Sequence, residues 1–122
     1  MVRTQGLTHI HLVVRDLERS LRFYKGVFGM EERFRAGPMM VFLNTPGSED
    51  MITLNQDPAE AQLAGVNAGV AHFGFRLAKD ADLDAAIEEI EAAGGKLIRR
   101  GEHEPGVVFA YIEDPDGYVI EL

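Results

Sequence analysis

Cysteine is absent from the 122 residues. No disulfide, thiolate nucleophile or cysteine-based metal site can therefore form. Tryptophan is absent as well, and basic residues are scarce: 12 Lys and Arg stand against 20 Asp and Glu, a formal net charge of −8. Such a chain repels a phosphate backbone and an anionic lipid surface, so nucleic acid and membrane are not expected partners. No apolar run approaches the roughly 18–20 residues of a membrane span. No apolar stretch follows Arg3, so no secretory leader is expected and a cytoplasmic location is. A Gly-rich phosphate loop, a nucleophile elbow and a His-Glu-x-x-His pair are missing too. What remains is an ordinary globular composition, 46% hydrophobic and 26% charged, in one domain's length.

The chain reads as two halves. Residues 8–14 alternate like a strand, with Ile10, Leu12 and Val14 on one face and His9, His11 and Val13 on the other. Asp16 offers an N-cap, and Leu17, Leu21, Tyr24 and Phe28 form a helical stripe that Gly29 stops. Three short strands follow, near residues 32–34, 40–43 and 51–55. From Val70 the order recurs. His72, Gly74 and Arg76 alternate with Phe73, Phe75 and Leu77; then Leu83, Ile87 and Ile90 make a stripe capped by Asp80 or Asp82. Strands near 96–99, 107–112 and 118–122 complete it. His9 and His72 are 63 positions apart, Leu17 and Leu83 are 66 apart, and Ile52-Thr53-Leu54 precedes Ile120-Glu121-Leu122 by 68. An internal repeat of this kind decides the architecture. The expected class is α+β: a single domain, 1–122, of two paired βαβββ modules forming a concave mixed sheet with helices outside. Module one spans 7–56, the linker 57–69 and module two 70–122.

The alternation sends His9, His72 and Glu121 away from the helices, into the hollow. Two imidazoles and a carboxylate on one concave face suit a divalent ion with open coordination positions, Fe2+, Mn2+, Ni2+ or Zn2+. His11 shares the strand and face of His9. Arg76 faces the hollow by alternation, either to anchor an anion or merely to pair with an acid. His103 falls in a polar stretch, 101–106, that reads as a loop, and Asp114-Pro115-Asp116-Gly117 reads as a turn.

The pattern His9-x6-Asp16-Leu17-x3-Leu21-x-Phe23-Tyr24-x4-Gly29, then His72, then Asp114-Pro115-Asp116-Gly117-x3-Glu121, resembles the vicinal oxygen chelate superfamily. This group includes glyoxalase I, fosfomycin-resistance enzymes, extradiol dioxygenases, methylmalonyl-CoA epimerase and bleomycin-resistance proteins. The resemblance covers nearly the whole chain. It implies paired βαβββ modules, a homodimer, and a metal held by His9, His72 and Glu121 that chelates adjacent oxygens of a small-molecule substrate. Glyoxalase I has a fourth ligand, a glutamate, where this chain has Thr53, a poor ligand. Gly101-Glu102-His103, Ala110-Tyr111, Asp114-Pro115-Asp116-Gly117 and Glu121 resemble the C-terminal signature of extradiol dioxygenases. There the His and Tyr handle protons and hydrogen-bond substrate oxygens. His103 and Tyr111 are the catalytic candidates on that basis; His11, Thr53 and Arg76 are the pocket candidates.

Two function classes follow. The first is a metal-dependent enzyme, extradiol-dioxygenase-like or glyoxalase/lyase-like. The second is a metal-free antibiotic-binding protein of the bleomycin-resistance type, which an acidic chain suits. Those binders usually lack the His and Glu positions that are kept here.

Overall fold

The computed structural model describes residues 1–66 and 68–122; Asn67, within the expected linker, lies outside the described residues. Elements run β1 (Ile10–Val13), α1 (Leu17–Phe28), β2 (Glu31–Arg35), β3 (Met40–Asn44), β4 (Ile52–Asn55), a short 3₁₀ turn (Ala61–Leu63), β5 (Phe73–Gly74), α2 (Leu83–Ala92), β6 (Lys96–Glu104), β7 (Val107–Glu113) and β8 (Val119–Glu121). The strand–helix–three-strand order therefore occurs twice. Each half forms its own four-stranded mixed sheet, ordered β1-β4-β3-β2 and β5-β8-β7-β6, with the first strand of each parallel to the last.

The helices form where the spacing places them. The Asp16 carboxylate accepts from the Arg19 N–H, and Gly29 ends α1 with φ +63°, a left-handed position that glycine takes without strain. Leu17, Leu21, Phe23 and Tyr24 are buried on α1; Ile87 and Ile90 are buried on α2, which Asp82 caps. Both helices pack into one core with Leu12, Val14, Val41, Leu43, Ile52, Leu54, Ile112 and Ile120. Each such side chain contributes roughly 1.5–3 kcal/mol when fully buried. Phe28 at the end of α1 stacks on Phe75 beyond β5, ring centroids 4.1 Å apart, joining the halves on the helix side.

The turn at Asp114–Gly117 is the second joint. The Asp114 carboxylate accepts the N–H groups of Asp116, Gly117 and Tyr118 through Oδ1, and the Tyr24 hydroxyl at 2.7 Å through Oδ2. The buried Asp116 carboxylate accepts from Arg15, Arg19 and Ser20 of the first half. Tyr118 donates its hydroxyl to the Val13 carbonyl. Arg15 also reaches the Ala64 carbonyl, so the segment between the halves is fastened to the same joint. At Gly65 (φ +76°) a Cβ would lie 2.1 Å from the Asp116 carbonyl oxygen, which leaves room for glycine alone.

Three sequence expectations change in detail. β1 and β5 are shorter than the alternating runs that suggested them. The sheets lie side by side without a hydrogen-bonded seam between β1 and β5. The stretch 101–106 is not a loop: β6 runs on to Glu104 and turns tightly into Val107.

Candidate active site

The candidate site residues lie on the face of each sheet turned away from the helices. In the second sheet Glu121 on β8 pairs with Tyr111 on β7 and with Gly74 on β5. One residue before β5, His72 places Nε2 3.0 Å from Glu121 Oε2. From β6, His103 places Nε2 2.8 Å from Glu121 Oε1. One carboxylate thus bridges two imidazoles. The hydrogen bond from His103 is the main cause that holds the Glu121 carboxyl below the usual carboxylate range, with the neighbouring His72 adding to it.

His103 reaches this position because β6 is irregular. Glu102 pairs with Val108 and Glu104 with Val107, so His103 is the extra residue of a β-bulge. A bulge re-aims the side chain it carries. The imidazole stacks on Phe109 at 4.2 Å between centroids. Gly101 makes space for that phenyl ring: a Cβ there would lie 3.0 Å from Phe109 Cζ. Tyr111 meets the His72 ring edge-on at 5.0 Å.

Sequence reasoning missed Arg99. It sits opposite Tyr111, next to a second bulge between Leu97 and Arg99, and its guanidinium lies 5.3 Å from the Phe109 ring centre and 5.4 Å from that of Tyr111. Counting back in twos from His103 through Gly101 would have found it, had that stretch been read as a strand.

The first sheet carries the other candidates. His9 stands just before β1, bonded to Thr8 Oγ1 through Nδ1 at 2.9 Å, with its ring 5.9 Å from that of Phe42. Phe42 in turn stacks on the half-exposed Phe34. Thr53 pairs with His11 on one side and Phe42 on the other, and it is fully buried between them with its hydroxyl unpartnered. Ile52 and Leu54 point to the opposite, core side. His11 and His72 both line a cavity of about 420 Å³ between β1 and β5, together with Leu63, Val66 and Tyr118. Arg76 is exposed beyond the end of β5.

His72, Glu121, His103 and Tyr111 thus come together; His9 does not join them within one chain. Among the described residues no three His, Asp or Glu side chains stand around a common point as metal ligands. The second sheet nevertheless fits an ion. His72 Nε2 and Glu121 Oε2 are in direct contact at 3.0 Å, and adjacent ligands ~2.1 Å from an octahedral ion are also ~3.0 Å apart. These are nitrogen and oxygen donors that Mn2+, Fe2+, Ni2+ or Zn2+ accepts.

Comparison with known proteins agrees with this architecture. The chain is 35% identical over 126 residues to lactoylglutathione lyase of Haemophilus influenzae, covering 95% of this chain and 90% of that one. It is 29% identical to the manganese-dependent 2,3-dihydroxybiphenyl 1,2-dioxygenase of Geobacillus genomosp. 3, covering 93% of this chain and 35% of that protein. The fosfomycin resistance protein FosX of Mesorhizobium loti superposes with a TM-score of 0.72 at 25% identity, covering 98% of this chain and 92% of that one. The sequence model of the Glyoxalase/Bleomycin resistance protein/Dioxygenase superfamily matches residues 6–122, and the chain belongs to that superfamily.

Proposed function

We propose that the protein is a divalent-metal-dependent enzyme that chelates two adjacent oxygens of a small substrate. Its ligands would be His72 and Glu121 of one copy and His9 of a second copy in a homodimer. The observation that carries this reading is the 3.0 Å spacing of His72 Nε2 and Glu121 Oε2 on an open sheet face. His9 lies on the matching face of the other sheet, beside the exposed shelf of Phe34 and Phe42. A twofold dimer brings the first-sheet face of one copy onto the second-sheet face of its partner, twice. This joins the three ligands and covers the apolar shelf together.

When bound, the ion supplies Lewis-acid polarisation of both substrate oxygens. The protein's own groups do the rest. His103, held through Nε2 by Glu121, would take up or return a proton at its other ring nitrogen, Nδ1. The Tyr111 hydroxyl is placed to hydrogen-bond a substrate oxygen. Phe42, Phe34 and Phe109 keep water from the site. The His103–Glu121 contact and the want of a fourth ligand at Thr53 favour extradiol-dioxygenase-like chemistry, and the manganese-dependent dioxygenase among the relatives supports a metal of that kind. A second reading, a lyase of the glyoxalase type, is favoured by the higher identity to the Haemophilus enzyme over nearly its whole length.

Complementation tests the shared site. His9→Ala and His72→Ala should each be inactive alone. Mixed after mild unfolding and refolding, they should recover about one working site in four, since half the dimers are mixed and each mixed dimer has one intact site. No recovery on mixing, or a species of only 13.5 kDa in sedimentation, would overturn the shared site. Oxygen uptake with catechol then separates the dioxygenase reading from formation of lactoylglutathione.

Thr53→Glu is a further test. It places a carboxylate on the His9 side of β4, where Ile52 and Leu54 already face away. Affinity for Zn2+, Ni2+ or Mn2+ should rise and any oxygen-dependent activity should fall, because one open coordination position is taken. Unchanged metal affinity in a folded variant would place Thr53 outside the site.

A further inference from the structure

Two adjacent arginines on β6 have opposite fates. Arg100 points to the helix side and pairs with Asp84 on α2. Arg99 lies on the site face and makes no ion pair among the described residues. Its guanidinium instead rests against Phe109 and Tyr111, 5.3 and 5.4 Å from the ring centres. The same two strands carry His103 and Tyr111, and β8 beside them carries Glu121. Arginine on an aromatic surface keeps its in-plane N–H groups free, because the ring contact uses the guanidinium face. An Arg–carboxylate pair held this way is frequently two-pronged.

We propose that Arg99 anchors a carboxylate of the substrate, so that the site takes a compound carrying both vicinal oxygens and a carboxylate. One guanidinium balances one negative charge, so a carboxylate is matched where a phosphate dianion would leave charge over. In a chain of net charge −8, a cation without an acidic partner beside the reacting groups also draws an anion that the rest of the surface repels. The two flanking bulges, at Ile98 and His103, set the side chains of this stretch against the sheet face. Arg99 is a specificity residue in this account, and it rests on the chelating site proposed above.

The test compares catechol with 3,4-dihydroxybenzoate, which share the vicinal oxygens and differ by the carboxylate. Both are titrated by calorimetry into the Mn2+-loaded dimer, as wild type, Arg99→Met and Arg99→Lys. The wild type should bind the carboxylate roughly ten- to a hundred-fold more tightly than catechol, the range of a charge-assisted hydrogen bond. Arg99→Met should abolish that preference and leave catechol affinity unchanged; Arg99→Lys should restore part of it. Equal binding of the two compounds by the wild type overturns the inference and leaves the chelating site standing. So does a preference that survives in Arg99→Met, or a loss of both ligands together in a folded variant. Failure of both compounds to bind the metal-loaded wild type overturns the chelating site and this inference with it.

Discussion

Glu121→Ala should yield a folded protein that no longer holds a divalent ion in stoichiometric amount. Glu121 is the sole carboxylate of the proposed ligand set, and it also fixes both imidazoles of its half of the site. Altering groups that merely orient a metal's ligands lowers affinity by roughly 10–100-fold, so removal of a ligand that performs both tasks should exceed that range. The side chain lies on the open face of the sheet, while Ile120 beside it is fully buried and unaltered. The circular dichroism spectrum should therefore stay as in the wild type. His72→Ala should act in the same way, and His103→Ala should retain the metal while losing turnover, because His103 touches the carboxylate and not the proposed ion. Metal analysis of the three variants, purified without an affinity tag, checks this order. Full metal content in Glu121→Ala or His72→Ala would remove the site from the second sheet.

The helices, the repeat and the assignment of faces were readable because each rests on a local signal. Asp16 and Gly29 bracket a stripe of period 3.6, and the buried pairs Leu12/Val14 and Ile52/Leu54 each recur at period 2. The position of His103 was not readable in this way. A bulge inserts one residue and breaks the alternation that reveals a strand, so Gly101–Glu104 resembled a loop and Arg99 went unnoticed. The separation of His9 from His72 and Glu121 within one chain was equally hidden. Alternation shows which face a side chain takes, but the relative placement of two sheets follows from long-range contacts. Those contacts are made by residues whose local pattern suggests something else. Arg15 and Arg19 stand at a helix start with no local mark of a distant partner, yet they meet a buried carboxylate on the Asp116 turn, 101 and 97 positions away.

That turn carries the second large effect. Asp114→Ala should lower stability by about 3–5 kcal/mol, the range for breaking a buried polar network. The Tyr24 hydroxyl and the Asp116 N–H would lose their acceptor in a buried place, where water does not replace it, and the Gly117 and Tyr118 N–H groups would lose theirs in a half-buried one. The loss spreads, because an opened turn no longer presents Asp116 to Arg15, Arg19 and Ser20. Asp114→Asn keeps one acceptor oxygen for the N–H groups and should cost clearly less. It also isolates a pH effect. Burial pushes the Asp114 carboxyl up from its usual range, with the hydrogen bond from Tyr24 and those from the backbone pulling against it. The folded chain therefore holds that proton more readily than the unfolded chain. The Asp114 contribution is fully present below the usual carboxylate pKa and declines as pH rises through the folded value. Asp114→Asn has no such proton. Its urea midpoint, followed through the acid range, should therefore fall relative to wild type below the usual carboxylate pKa and gain on it as pH rises through the folded value. A difference between the two proteins that stays constant across that range would show that folding leaves the Asp114 carboxyl at its unfolded pKa. The cost of the Ala variant would then reflect the lost acceptor alone, with no contribution from proton uptake on burial.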